Sequence, residues 1–76
     1  MFILNSTSYY NGNYDGEHEL TFNSFEEAHA QMEKEIDNFI DYHSSFNETI
    51  WNLDKEKTRA HLVSDYCDDF WSIIEK

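Results

Sequence analysis

Hydrophobic and polar positions change their period along the chain, and each change predicts a different element. Residues 2–10 (FILNSTSYY) are rich in β-branched and aromatic types, and over 17–22 (EHELTF) His18, Leu20 and Phe22 alternate with Glu17, Glu19 and Thr21. Both segments read as strands. Between them NGNYDG holds the two glycines of the sequence, in the Asn-Gly and Asp-Gly pairs that supply positive φ in hairpin turns. The period then lengthens. Ser24 followed by Glu27 has the form of a capping box, with Glu26 and Glu27 where the helix dipole favours negative charge. From there Phe25, Ala28, Met32, Ile36, Phe39, Ile40 and His43 fall on one helical face, predicting a helix over 24–42 with that stripe buried.

The last third admits two patterns. Leu62, Val63, Tyr66, Cys67, Phe70, Trp71 and Ile74 fit a helical stripe, which would give a β-hairpin followed by two helices. Trp51 and Leu53 alternate, however, and Thr58, Ala60 and Leu62 alternate with their polar neighbours, as a hairpin turning near Asp54 to Lys57 requires. Phe70, Trp71, Ile73 and Ile74 add an apolar run of strand type after the turn-like cluster Asp65 to Asp69. The strand pattern is preferred, and the expected fold is α+β: an antiparallel sheet of order ββαβββ with one helix packed on one face. With 76 residues, no proline and no internal repeat, residues 1–76 read as a single domain.

Composition changes this picture mainly through charge. Sixteen Asp and Glu against five Lys and Arg give a net charge of -11, which repels phosphate and anionic membrane surfaces and excludes direct nucleic-acid binding. Residues 1–54 hold eleven of the acids and one base, Lys34. On the helix, Glu26, Glu33, Asp37 and Asp41 are spaced by seven, four and four and so form one column beside the buried stripe. Like charges four apart cost a helix roughly 0.2–0.5 kcal/mol per pair. The column is either a solvated face that keeps the chain soluble or a row of carboxylates offered to a basic protein surface. Glu17 and Glu19 on the second strand, and Asp65, Asp68 and Asp69 in the expected loop, extend the same set. Tyr14 in the hairpin turn is the aromatic most exposed by its position, and Tyr and Trp are common interface anchors.

Other chemistries leave little trace. The run from Asn11 to Gly16 imitates the first half of a calcium loop, but its twelfth position is Phe22, where a bidentate Glu is needed. His18, His29, His43, His61 and Cys67 show no zinc spacing, and no metal or cofactor is expected. One cysteine cannot form an intramolecular disulfide, and the opening MFILNST lacks the features of a signal peptide, so a reducing cytoplasm is the expected location. Phosphate-binding glycine loops and nucleophile elbows are absent, and an enzyme is not expected.

The Tyr-rich opening strand with its Asn-Gly and Asp-Gly pairs, the S-F-E-E-A helix start at 24–28 and the closing D-F-W-S-I-I-E at 69–75 resemble small acidic proteins of phages and mobile elements of low-GC Gram-positive bacteria. The resemblance implies an inhibitor of host defence, of the anti-CRISPR or anti-restriction kind that imitates the charge of DNA, acting in the cytoplasm of a bacterial host. The expected partner is then a host protein with a basic groove, such as a CRISPR effector or restriction nuclease. An adaptor or homodimer that uses a sheet edge or an aromatic face is the alternative.

Overall fold

The computed structural model describes residues 1–76, in the order β1 (Phe2–Tyr10), β2 (Asn13–Phe22), α1 (Phe25–Ser45), β3 (Ile50–Lys55), β4 (Arg59–Ser64) and β5 (Cys67–Glu75). The five strands form one antiparallel sheet in the spatial order β2-β1-β5-β4-β3. The fold is the α+β arrangement expected, with strands throughout the last third. Helix α1 carries the chain from one edge strand, β2, across a single face of the sheet to the other edge strand, β3. No helix is long and apolar enough to cross a membrane.

Local chemistry explains the element ends. Asn11 and Gly12, at φ of 52° and 79°, make the two-residue turn between β1 and β2 that an Asn-Gly pair favours. Asp15-Gly16, expected within the turn, lies inside β2 instead. There the register skips Asp15 as a bulge, because continued pairing with β1 outweighs the turn preference of the pair. Ser24 is the N-cap: the Glu27 amide donates to its Oγ at 3.2 Å, and its hydroxyl donates to Glu27 Oε1 at 3.0 Å.

The helix runs three residues past the expected end and closes in a Schellman motif. Asn47 takes the left-handed φ of 60°, its amide donates to the Ser44 carbonyl (3.1 Å), and the Glu48 amide donates to the His43 carbonyl (3.0 Å).

The buried face of α1 supplies Ala28, Met32 and Ile36 to a core completed by Leu4, Ala60, Leu62, Trp71 and Ile73. Phe2, Phe22, Phe25, Phe39, Ile40, Ile50 and Leu53 pack around its rim. Glu35 also lies on this face and is buried. It accepts hydrogen bonds from Trp71 Nε1 (3.2 Å) and Gln31 Nε2 (3.0 Å), which is how a carboxylate becomes tolerable there.

The cluster Asp65 to Asp69, expected as one loop, divides. Only Asp65 and Tyr66 connect the strands, and β5 already begins at Cys67. Strand β1 is nine residues long and pairs as far as Tyr10 opposite Cys67, so its backbone recruits Asp68 and Asp69 into the sheet.

Candidate functional site

The inward-facing positions of the three central strands change character toward one end of the sheet. Strand β1 runs from Leu4 to Ser6 and Ser8, β4 from Ala60 and Leu62 to Ser64, and β5, in reverse, from Ile73 and Trp71 to Asp69 and Cys67. Antiparallel pairing of β1 with β5 sets Ser8 opposite Asp69 and brings these polar ends together. The last turn of α1 covers them with His43, which is 4% exposed.

The Schellman turn folds Glu48 back onto the helix residue whose carbonyl its own amide binds. Glu48 Oε2 therefore sits 3.0 Å from His43 Nδ1. On the far side of the ring, Nε2 lies 3.5 Å from Asp69 Oδ2. Asp69 Oδ1 accepts from the Ser8 hydroxyl at 2.7 Å, whereas the buried Oδ2 has no hydrogen bond. The Cys67 amide donates to Ser64 Oγ at 3.2 Å, which fixes the start of β5 beneath Glu48. The imidazole thus lies between two carboxylates, one at each ring nitrogen.

Burial pushes the Asp69 carboxyl above the usual carboxylate range, against the pull of the Ser8 hydrogen bond and of the His43 ring nearby. Burial also raises the Cys67 thiol, helped by the charges of Asp69, Glu48 and Asp15 and opposed by Ser64. Cys67 is thus held as a thiol rather than an activated thiolate nucleophile. A cleft of about 490 Å³ opens over the cluster, walled by Tyr10, Tyr42, Phe46 and Tyr66. The donor atoms of His43, Glu48 and Cys67 all lie within 4.8 Å of one another, and these are the residues able to hold a metal ion. None was legible as a ligand from spacing. The three come from a helix end, a turn and a strand, and only the Asn47 position hinted that residue 48 would return to residue 43.

The acidic residues singled out from the sequence divide among four places. Glu26, Asp37 and Asp41 are exposed along the outer side of α1, while Glu33 in the same column is half-buried and bound by Lys55 Nζ at 2.9 Å. A base from β3 therefore interrupts the column, and Glu33 in turn raises the Lys55 pKa. Glu17 and Glu19 pair across from Thr7 and Asn5, on the sheet face that the helix leaves uncovered. Asp68 is on that face too, 3.1 Å from His61 Nε2.

Asp65 caps the turn region. It accepts from the Thr49 amide at 3.0 Å and from Trp51 Nε1 at 2.6 Å, which together hold its carboxyl below the usual range. Tyr14 is exposed near the hairpin tip and meets Tyr9 edge to face. Asp69, expected with Asp65 and Asp68 in an exposed loop patch, is instead buried and faces the helix, because it alternates with Asp68 in β5. It belongs to the histidine cluster and is not available to a partner surface. No family model, curated protein or solved structure matches the chain.

Proposed function

We propose that the protein is a non-catalytic binding protein whose acidic helix face engages a basic surface on another protein. That surface is one that ordinarily holds nucleic acid, and occupying it inhibits a host defence nuclease such as a CRISPR effector or restriction enzyme. The observation that carries this reading is that Glu26, Asp37 and Asp41 are exposed on one side of α1 with no Lys or Arg in ion-pair contact. Across the whole chain only Glu33 and Glu56 are paired with such a base. The column from Glu26 to Asp41 spans about 22 Å at the helical rise of 1.5 Å per residue. Each carboxylate stands where a phosphate would meet Arg or Lys, giving charge-assisted hydrogen bonds and fast, salt-sensitive association.

The test is capture of partners from a host lysate by the full chain, followed by affinity measurement at rising ionic strength. Affinity should fall steeply as salt approaches the range where the Debye length is below about 10 Å, mainly through the association rate. Reversing Glu26, Asp37 and Asp41 to Lys should weaken binding tenfold or more, a loss of about 1.4 kcal/mol. A complex indifferent to salt and to the triple reversal overturns this reading.

One observation favours a second reading, an adaptor or homodimer. On the uncovered face of the sheet, the His61 ring stacks on Phe70 (4.1 Å between centroids), Tyr9 meets Phe70 edge to face, and Ile74 is about half exposed. An interface there would be apolar and insensitive to salt.

A further inference from the structure

We infer that His43, Glu48 and Cys67 bind one divalent transition-metal ion of zinc's class, with Asp69 as the positioning residue behind His43. The inference is independent of the acidic helix face. An imidazole nitrogen, a carboxylate oxygen and a thiol sulfur form a mixed donor set of the kind that zinc and its neighbours take, whereas calcium and magnesium take oxygen. Bond lengths of 2.0–2.3 Å in a tetrahedral site place ligand atoms about 3.5 Å apart. The three donors, within 4.8 Å of one another, close to that spacing by small side-chain rotations.

A second observation points to the same ion. Asp69 is 4% exposed, and its Oδ2 has no hydrogen bond although it lies 3.5 Å from His43 Nε2. The other ring nitrogen, Nδ1, faces Glu48 Oε2 at 3.0 Å. A cation between Nδ1 and Glu48 takes the lone pair of one nitrogen and leaves the single ring proton on the other. Nε2–H then donates to Asp69 Oδ2, giving the carboxylate–histidine–metal arrangement that fixes tautomer and ring orientation. Each polar atom of the cluster is satisfied in that state. Ser8, donating to Asp69 Oδ1 at 2.7 Å, keeps the carboxylate aimed.

Charge agrees with geometry. Binding transfers the Cys67 thiol proton to solvent, and the resulting thiolate with the Glu48 carboxylate neutralises a dication. Three protein ligands leave a fourth position, which opens into the cleft of about 490 Å³ and takes water or a donor from a bound molecule.

The test uses the full chain, reduced and stripped with a chelator. Zinc is titrated in competition with a chromogenic chelator, and cobalt is added in parallel as a spectroscopic probe. The expected results are one zinc per chain, release of a proton on binding, a rise of roughly 10–20 °C in the thermal midpoint at a hundredfold excess over Kd, and a thiolate-to-cobalt charge-transfer band. Cys67→Ser, a half-buried near-isostere expected to keep the fold by circular dichroism, should abolish the band and weaken zinc binding more than 100-fold. Asp69→Asn should keep the band while weakening affinity about 10–100-fold, as loss of an orienting carboxylate does. Replacing Glu26, Asp37 and Asp41 by their amides should leave zinc binding unchanged. Absence of the band in the wild type, zinc affinity equal in Cys67→Ser, or binding removed only by the three surface amides would each overturn the inference.

Discussion

The two ends of the helix–sheet interface are built from the same elements and held together by opposite means. At one end Met32 and Ile36 lie against Leu4, Leu62, Trp71 and Ile73, a dry contact whose stability follows from apolar area removed from water. Two turns further along the same face, His43 covers Ser8, Ser64 and Asp69. There the helix buries an imidazole and a carboxylate where hydrocarbon would serve packing better, and one carboxylate oxygen is left without a donor. Buried polar groups with incomplete partners weaken a fold, and the metal site inferred above supplies a reason for keeping them at this end.

The largest expected effect lies at the apolar end. Ile36 is fully buried between α1 and the sheet, and Ile36→Ala should cost about 2–5 kcal/mol, read as a lower urea midpoint with unchanged slope. A loss under 1 kcal/mol would mean that this end is loosely packed and would erase the contrast with the other.

A smaller effect is expected just beyond the polar end, where Asp65 ties the β4–β5 turn to Thr49 and Trp51. Its folded pKa is lowered, first by the Thr49 amide and then by Trp51, so its contribution is present above the ordinary carboxylate pKa and is lost as pH falls through the depressed value. Asp65→Asn should therefore lower the thermal midpoint slightly at neutral pH, and the gap from the wild type should close as pH falls below the ordinary carboxylate range. A gap that stays constant with pH would show that the carboxylate charge plays no part.

The same contrast explains what could be read in advance. The apolar end was visible as period: the stripe from Phe25 to Ile40, the alternation of Ala60 with Leu62, and the run of Trp71 and Ile73 each announced a buried face. The capping box at Ser24 located the helix start for the same reason, since a cap is a local interaction. The polar end had no such signal. Nothing in the sequence sets Ser6, Ser8 and Ser64 apart from other polar residues of strand segments, and Asp69 falls in a turn-like cluster, because only the pairing of β5 with β1 and β4 makes them neighbours. Glu35 was hidden likewise, its donors Trp71 and Gln31 being supplied by the fold. Charge was legible as composition but not as placement. Glu26, Asp37 and Asp41 lie exposed along α1 as their spacing implies, while the arrival of Lys55 from β3 and the division of Asp68 from Asp69 between two faces depend on register.

The claim that the polar end is kept for binding can be tested directly by replacing His43 and Asp69 with Leu and Glu48 with Met together, and measuring urea unfolding of the metal-free chain. Removing every charged member of a buried pair or triad and filling the space with hydrocarbon is often neutral or stabilising by about 1–4 kcal/mol where the charges do not hold the fold. The account predicts an unfolding midpoint equal to or above that of the wild type, with the zinc-dependent thermal shift abolished. A loss of stability as large as that of Ile36→Ala would contradict it, and would make the histidine cluster part of the scaffold.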